Sequence, residues 1–269
     1  MGALQEWRQA LASWALPDEI LHRVPRSPWS FPWELFRERA ERALDAEPTP
    51  SSRRALEALP EGGTVLDVGA GPGAAGLALA RRAGRVTAVD RSTEALATFE
   101  EIATRAGLSH DVIAGSWPDV ADEAAVADVV VCNHVLYNVA DLEPFVRDLT
   151  AHASRRVVVE ITAEHPRAEI NDLWMKIHGL HRPTRPTADD AARALAEIGV
   201  PATREDWGVV RPPEPRGELV GRLMTELALR PDEEPRLLHA LGDELREADG
   251  GWVAGRRERA LVTLWWDSR

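Results

Sequence analysis

A buried strand pattern that runs directly into a glycine-rich turn constrains the fold of this chain more than any other feature. Residues 65–73 read Val-Leu-Asp-Val-Gly-Ala-Gly-Pro-Gly, and a helical pattern follows over 74–83. Glycines let the backbone adopt conformations that are closed to other residues and lie against a ligand. The helix that follows directs its N-terminal amide groups at that ligand. The stretch therefore predicts a strand–loop–helix unit of an α/β sheet, with a ligand at the carboxyl end of the strand.

Two aspartates accompany this loop. Asp67 lies near the carboxyl end of the first strand, and Asp90 ends the next predicted strand, 21 residues after Gly69. In nucleotide-binding βαβ units an acid at about this spacing receives the ribose hydroxyls. The structural alternative is a tight turn followed by a helix-capping aspartate.

A dinucleotide cofactor has to be considered, because residues 71–76 also match the pattern G-x-G-x-x-G. Some 60 residues with helical patterns precede the loop, whereas the dinucleotide fold usually begins with this strand. Asp67 suits a ligand that carries an ammonium group and would repel a pyrophosphate. The strand-rich segment 258–266 suits a closing antiparallel hairpin. These features favour S-adenosylmethionine over a nicotinamide or flavin.

The segment 67–73 resembles the first motif of class I S-adenosylmethionine-dependent methyltransferases, an acid followed after one residue by Gly-x-Gly-x-Gly. The resemblance is clear over about 61–162. It implies an α/β fold of the Rossmann-like type, in which helices cover both faces of a seven-stranded, mostly parallel sheet whose last strand is antiparallel. It also implies S-adenosyl-L-methionine as the cofactor.

The same resemblance assigns the cofactor contacts. The loop wraps the methionine portion, Asp67 meets its amino group, Asp90 binds the ribose diol and Arg91 lies beside the adenine. The family often has an acid after the third strand, but this chain has Gly-Ser-Trp-Pro over 115–118. There Ser116 could accept a hydrogen bond, while Trp117 either lies against the purine or packs in the core. The assigned cofactor-binding residues are Asp67, Gly69, Ala70, Gly71, Gly73, Asp90, Arg91, Ser116, Trp117 and Asn133.

The end of the fourth strand is expected to face the reacting methyl group. Asn133 and His134 follow the apolar run 127–132. Methyl transfer is an in-line displacement that mainly needs alignment and exclusion of water. A base helps only when the nucleophile starts protonated, and histidine suits proton removal near neutrality. We predict His134 and Tyr137 as catalytic residues, with structural hydrogen bonding and packing as their alternatives.

Other aromatic and imidazole side chains allow further hypotheses. Trp29, Phe31, Trp33 and Phe36, together with 174–181, either form an apolar lid over the substrate or dock the N-terminal helices on the sheet. His165, His178 and His181 could contact substrate or line a solvated loop. The segment at the end of the fourth strand lacks the clustered acids of magnesium-dependent catechol-type enzymes. The sequence also has no compact histidine pair, so we predict no metal.

The chain divides into a helical N-terminal cap over 1–60 and a methyltransferase domain over 61–269, with a helical insertion at about 163–186. The apolar patterns predict seven strands and a helix with a capping box at Thr187 and Asp190. The predicted strands span 64–68, 85–89, 110–114, 127–132, 156–161, 203–210 and 260–266.

Charge and composition narrow the acceptor. The net charge is −12, whereas nucleic-acid binders usually present a basic face. A small-molecule acceptor is therefore expected, with an RNA or protein methyltransferase of the same fold, or a non-catalytic binder of the cofactor, as alternatives. One cysteine, no membrane-length apolar run and no secretory pattern at the N-terminus predict a cytoplasmic protein. The sequence leaves open the substrate, the acceptor atom and whether the protein is a homodimer.

Overall fold

The protein is built around a mixed β-sheet. The computed structural model describes residues 2–24, 28 and 33–268, with the backbone alone at 33–35. Its strands are β1 (Gly63–Val68), β2 (Ala83–Asp90), β3 (Ser109–Ala114), β4 (Ala127–Asn133), β5 (Ala153–Thr162), β6 (Thr203–Val210), β7 (Leu245–Ala248), β8 (Gly251–Ala254) and β9 (Glu258–Asp267).

Helices flank the sheet and extend beyond its carboxyl edge. Short 3-10 turns are interspersed among them. The α-helices are α1 (Ala3–Ala12), α2 (Asp18–Leu21), α3 (Trp33–Ala43), α4 (Pro50–Ala58), α5 (Ala74–Leu77), α6 (Thr93–Arg105), α7 (Leu142–Ala151), α8 (Asn171–His178), α9 (Ala188–Glu197), α10 (Arg216–Glu226) and α11 (Glu234–Leu241).

The main sheet has seven strands in the order β3-β2-β1-β4-β5-β9-β6. The pairs from β3 to β5 are parallel, and β9 runs antiparallel to both β5 and β6. The predicted Rossmann-like sheet with an antiparallel last strand is confirmed. The chain order reverses between β1 and β4, which is where open α/β sheets form a ligand crevice.

Alternate residues of the central strands enter two different cores. Val157 and Val159 of β5 pack in the cluster that contains Trp7 and Leu149, whereas Val158 packs in the cluster that contains Phe99. Both faces of the sheet are therefore covered, which explains why the central strands are almost wholly apolar.

The N-terminal helices join both of these cores. Trp7 of α1 is fully buried, and its indole N–H donates a 2.8 Å hydrogen bond to the carbonyl oxygen of Val139. Ala40 of α3 and Ala55 of α4 belong to the opposite core. The division into a cap over 1–60 and a domain over 61–269 stays a prediction.

A third core lies apart from the sheet. It joins α8, which follows β5, to α10 and α11, which follow β6, and it also includes Leu16. The segment between β6 and β9 thus forms a second insertion, which the sequence analysis did not separate from the sheet domain.

One predicted helix is shorter than expected, and one segment with a helical pattern, 233–247, is only partly helical. The helix predicted over 74–83 ends at Leu77, where hydrogen bonds shift from the fourth to the third preceding carbonyl and lead into β2. The pattern over 233–247 contains α11 and then β7, because the turn at Asp249 and Gly250 folds β7 onto β8. Both turn residues have positive φ, as a tight hairpin requires.

The capping box at Thr187 and Asp190 is confirmed. Among the described helices, none has the length and apolar character needed to cross a membrane.

Candidate active site

The glycine loop between β1 and α5 forms the floor of the site. Gly69 has φ 69°, and a side chain there would overlap Val135. Gly71 has φ 54°, but a Cβ built on it would meet no atom within 4 Å. The loop therefore has protein on one side and open space on the other. Ala70 lies between these glycines, and Gly73 packs against Phe99 at the start of α5.

Asp67 is buried beneath this loop. Its side chain is 1% exposed, and Oδ2 accepts a 2.7 Å hydrogen bond from the main-chain N–H of Gly76. Burial raises the pKa of Asp67 to about 7; the bond from Gly76 opposes this rise and the charge of Asp90 adds to it. A cation next to Asp67 would favour its ionised form.

Asp90 holds the loop from the end of β2. Its Oδ2 accepts a 2.8 Å hydrogen bond from the N–H of Gly71, and its Oδ1 accepts one of 2.8 Å from the N–H of Ser92. Ser92 in turn caps α6, because its hydroxyl accepts a hydrogen bond from the main-chain N–H of Ala95. The structure thus brings Asp67 and Asp90 to the same loop, although their carboxylates also have structural partners.

The end of β4 supplies a buried acceptor without a partner. Within the part of the chain that the structure describes, Asn133 Oδ1 is buried and makes no hydrogen bond. A buried polar atom without a partner is costly, so it marks a place for a ligand group or water. Asn133 pairs with Glu160 of β5 in the sheet register.

His134 follows directly and has the left-handed φ of 62°, which is uncommon for a residue other than glycine. Its Nε2 lies 3.0 Å from Glu160 Oε1, and its main-chain N–H donates to the Glu160 carbonyl oxygen at 2.7 Å. The imidazole is partly exposed, with 38% of its side-chain surface accessible, whereas Glu160 is buried. The pair therefore presents an oriented imidazole at the carboxyl edge of the sheet.

Glu160 is a site residue that the sequence patterns did not single out. Burial by itself raises its pKa, but hydrogen bonds and charge from His134, a hydrogen bond from Ser51 and the charge of Arg39 outweigh this effect, so that its pKa lies below the ordinary value. Glu160 thus stays ionised near neutrality. Its position on a strand of apolar valines was the available signal, because a charge there needs a partner.

Tyr137 packs in the core rather than facing open space. Its hydroxyl donates a 2.8 Å hydrogen bond to the carbonyl oxygen of Thr162, and its ring stacks on Trp7 and meets His165 edge-on. It is 7% exposed. These contacts satisfy the hydroxyl and bury the ring of Tyr137, so its position does not require a substrate.

Trp117 is directed towards α7. Its indole N–H donates to the Phe145 carbonyl oxygen at 3.3 Å, and its ring meets His152 edge-on. These contacts favour the packing alternative over stacking on a purine. Ser116 and Arg91 are exposed at the ends of β3 and β2.

The three histidines of the first insertion lie in different surroundings. His165 stacks on Trp14 with 3.8 Å between ring centroids, and burial lowers its pKa to about 3. His178 donates from Nε2 to the Leu227 carbonyl oxygen at 2.7 Å, and His181 is exposed. Among the described residues, no group of three or more His, Cys, Asp or Glu side chains is placed to hold a metal ion.

Only part of the predicted aromatic lid lies among the described residues. Trp29 and Phe31 lie outside the described residues, as does the Trp33 side chain, while Phe36 is half-buried. Trp174 is buried in the third core, and Arg182 lies over the rings of both Trp174 and Trp14. The described part of the proposed lid is therefore packed against protein.

These residues fit the expected cofactor in three ways. The loop leaves open space at Gly71, the Asn133 acceptor is unsatisfied, and the buried carboxylate of Asp67 lies under the loop, where an ammonium group would favour its ionised form. Comparison with known families gives the deciding observation: residues 65–155 match a family model described as "Methyltransferase domain". This part of the chain is a methyltransferase domain. The nicotinamide or flavin alternative is therefore not retained.

Curated relatives match part of this chain over part of their own length. The ubiquinone biosynthesis O-methyltransferase of Methylocella silvestris is 35% identical over 112 residues, which are 42% of this chain and 43% of that protein. An uncharacterized protein of Haemophilus influenzae is 34% identical over 103 residues, 38% of each chain. The chain thus matches about two-fifths of the length of these relatives.

Solved structures share the fold of the methyltransferase domain at low identity. The YcgJ protein from Bacillus subtilis superposes with a TM-score of 0.55 at 16% identity, over 81% of this chain and 97% of that one. A cyclopropane-fatty-acyl-phospholipid synthase-like protein from Lactobacillus casei gives 0.52 at 18% identity, over 92% and 97%. At these identities the likeness shows the fold alone.

Proposed function

We propose that this protein transfers a methyl group from S-adenosylmethionine to a hydroxyl group of a small molecule. The observation that carries the proposal is the 3.0 Å contact between His134 Nε2 and Glu160 Oε1 beside Asn133. A hydroxyl nucleophile starts protonated, so an oriented imidazole has a proton to remove. The name of the Methylocella silvestris relative, an O-methyltransferase, supports the same type of acceptor.

The cofactor site is assigned to the loop and the acids around it. Gly69, Ala70 and Gly71 would lie along the methionine portion, with Asp67 below its ammonium group. Asp90 has lone pairs beyond those that accept from Gly71 and Ser92, and these could receive ribose hydroxyls. When bound, S-adenosylmethionine supplies an electrophilic methyl group.

Asn133 would bind and orient a ligand group through its unpaired Oδ1. His134 would take the proton of the acceptor hydroxyl on one ring nitrogen while the other stays bonded to Glu160. Glu160 acts through His134 as a positioning residue, because its carboxylate fixes the orientation of the ring and stabilises the charged form. Tyr137 and Trp117 are assigned to packing.

The net charge favours a small acceptor over nucleic acid. A net charge of −12 disfavours binding along a phosphate backbone. We extend the proposal to proton removal that needs no metal, because the His134–Glu160 pair already provides a base. Dialysis against EDTA is then expected to leave the rate unchanged.

The first test is calorimetric titration of the purified protein with S-adenosylmethionine, S-adenosylhomocysteine and NADH. We expect saturable binding of the first two and none of NADH; preferential binding of NADH would overturn the cofactor assignment. The second test measures release of S-adenosylhomocysteine with small phenols and with matched primary amines. Methylation of amines but not phenols would overturn the hydroxyl assignment alone.

A further inference from the structure

Arg39 differs from the other arginines of α3. Arg37 forms a 2.8 Å ion pair with Glu101, and Arg42 forms one of 2.9 Å with Glu38. Within the described residues, Arg39 makes no ion pair and no side-chain hydrogen bond. A guanidinium carries five N–H donors in a fixed fork that matches carboxylate and phosphate groups.

Arg39 lies within reach of charges on the sheet. The side chain is exposed to solvent, yet burial is the first cause that lowers its pKa, followed by the charge of Arg259. Arg42 and Arg211 lower the pKa further, and Glu160 raises it. The sheet register supports this placement. Glu160 pairs with Thr263, and Arg259, four residues earlier on β9, faces the same side of the sheet, which is the side that α3 covers through Ala40.

Two further arginines lie on the sheet on this side. Arg259 of β9 and Arg211, which follows β6, lie beside each other at the carboxyl edge. Both contact the carboxylate of Glu169, at 3.3 and 2.9 Å. Within the described part of the chain, Arg259 Nε is buried and forms no hydrogen bond of good geometry. The carboxylate of Glu169 is thus shared by the guanidinium groups of Arg211 and Arg259, and Arg39 is a third cation on this side of the sheet.

The cluster lies next to the proposed base. The carboxylate whose charge acts on Arg39 is Glu160, and Glu160 is already bonded to His134. The three arginines are near the carboxylates of Glu160, which is paired with His134, and of Glu169, which is paired with Arg211 and Arg259. The charges of Glu226 and Arg222 also act on Arg259 and oppose each other. A local excess of positive charge at the reacting end contrasts with the net charge of −12 of the whole chain.

We propose that Arg39, together with Arg211 and Arg259, binds an anionic oxygen group of the methyl acceptor, a carboxylate or a phosphate, and so holds the acceptor hydroxyl near His134. This inference rests on the proposed function and names the substrate class. The anion would take the donors of Arg39 that have no partner, and its negative charge would offset the repulsion among the three guanidiniums. Carboxylate and phosphate share this chemistry, so the experiment treats them as separate arms.

The test measures binding rather than turnover. The full-length protein, saturated with S-adenosylhomocysteine, is titrated with benzoate, phenyl phosphate and neutral benzamide, which share one ring and differ in charge. We expect at least one anion to bind about ten-fold more tightly than benzamide, in line with a charge-assisted hydrogen bond. Whether benzoate or phenyl phosphate binds more tightly identifies the anionic group.

Variants locate the binding group. Arg39→Gln is expected to lose about ten-fold in anion affinity while its affinity for S-adenosylhomocysteine is unchanged, which also shows that it is folded. Arg37→Gln, on the same helix but paired with Glu101, serves as the matched control and should bind like the wild type. Arg211→Gln is the second variant and should show a smaller loss, because Arg211 is shared with Glu169.

Equal binding of benzamide and both anions, no binding of either anion, or the same loss in Arg37→Gln would overturn the inference. These outcomes are distinguishable from failure of the proposed function. If the wild type does not bind S-adenosylhomocysteine, the cofactor assignment fails. If it binds the cofactor product without preferring an anion, only the acceptor class is wrong.

Discussion

The carboxylate of Asp90 accepts a 2.8 Å hydrogen bond from the main-chain N–H of Gly71 and so ties the end of β2 to the middle of the glycine loop. Gly71 is the loop residue with open space above it. The acid expected to bind ribose therefore also shapes the loop expected to wrap the methionine portion. The two parts of the cofactor site are mechanically connected.

Replacing Asp90 should consequently impair binding more than the loss of one ligand contact. We expect Asp90→Ala to weaken the affinity for S-adenosylhomocysteine about 100-fold, because both a ligand acceptor and the bond to Gly71 are lost. Calorimetric titration measures this change. Asp111→Ala, which removes an exposed acid of β3, is the control. An Asp90→Ala affinity within about three-fold of the wild type would contradict the assignment.

Asp67 should make stability depend on pH. Burial raises its pKa to about 7 from an ordinary value of 3.8, so the folded protein holds an extra proton between those pH values. Stability from this group therefore falls as pH rises through that window and is lowest above pH 7. We expect Asp67→Asn to be more stable than the wild type by about 1–3 kcal/mol at pH 8 and to lose this advantage at pH 5, measured by thermal unfolding without ligand.

Asp128 provides a control of opposite sign. A hydrogen bond from the Thr64 main chain is the first cause that lowers its pKa. Its contribution is present above the unfolded pKa and is lost only as pH falls through the lower folded value. The stability difference of Asp128→Asn should therefore stay constant from pH 5 to pH 8. A constant difference for Asp67→Asn as well would show that Asp67 does not titrate in this range.

Substitutions of His134 and of Glu160 should differ in their effects on kcat and on its pH dependence. His134→Asn suits the test because asparagine tolerates the left-handed backbone at this position. We expect kcat to fall about 100-fold and the acidic limb of the pH profile to disappear, with cofactor affinity unchanged. Glu160→Gln should lower kcat less and shift that limb, since it acts through the imidazole. Wild-type rates in His134→Asn would leave the histidine a structural role only.

Tyr137 should matter for stability and not for catalysis. Tyr137→Phe removes the hydrogen bond to the Thr162 carbonyl but keeps the stack on Trp7, so we expect a loss of about 1 kcal/mol and kcat within two-fold of the wild type. Thermal unfolding and initial rates measure the two quantities. Trp7→Ala, which removes a fully buried ring, should cost about 3–5 kcal/mol. A ten-fold fall in kcat for Tyr137→Phe would restore its catalytic assignment.

The local pattern predicted the sheet well. The strand predicted over 203–210 has the observed bounds, and the other six predicted strands each lie within an observed one. Apolar runs between turn residues carry this information because a strand buried on both faces leaves no place for polar side chains. The ends of helices were harder to place, since α5 stops where tertiary packing turns the chain into β2.

The site was predictable where its residues are close in sequence. The loop and Asp67 form one motif, and Asp90 follows at a recognisable spacing. Glu160 and Arg39 could not be assigned, because nothing near either residue in the sequence indicates which distant group it meets. Tyr137 and Trp117 were ambiguous for the same reason: an aromatic side chain near a strand end can point to the ligand or to the core, and the hydrogen bonds to Thr162 and Phe145 distinguish the two.

Local patterns were enough to predict the α/β sheet, the glycine loop and its two aspartates, because periodicity and backbone freedom are local properties of the chain. The three-dimensional structure was needed to show that Glu160 pairs with His134, that Arg211 and Arg259 share the carboxylate of Glu169, and that the two insertions pack into a third core. These relationships join segments far apart along the chain, and their energies come from burial and charge at short distances that exist only once the sheet has formed.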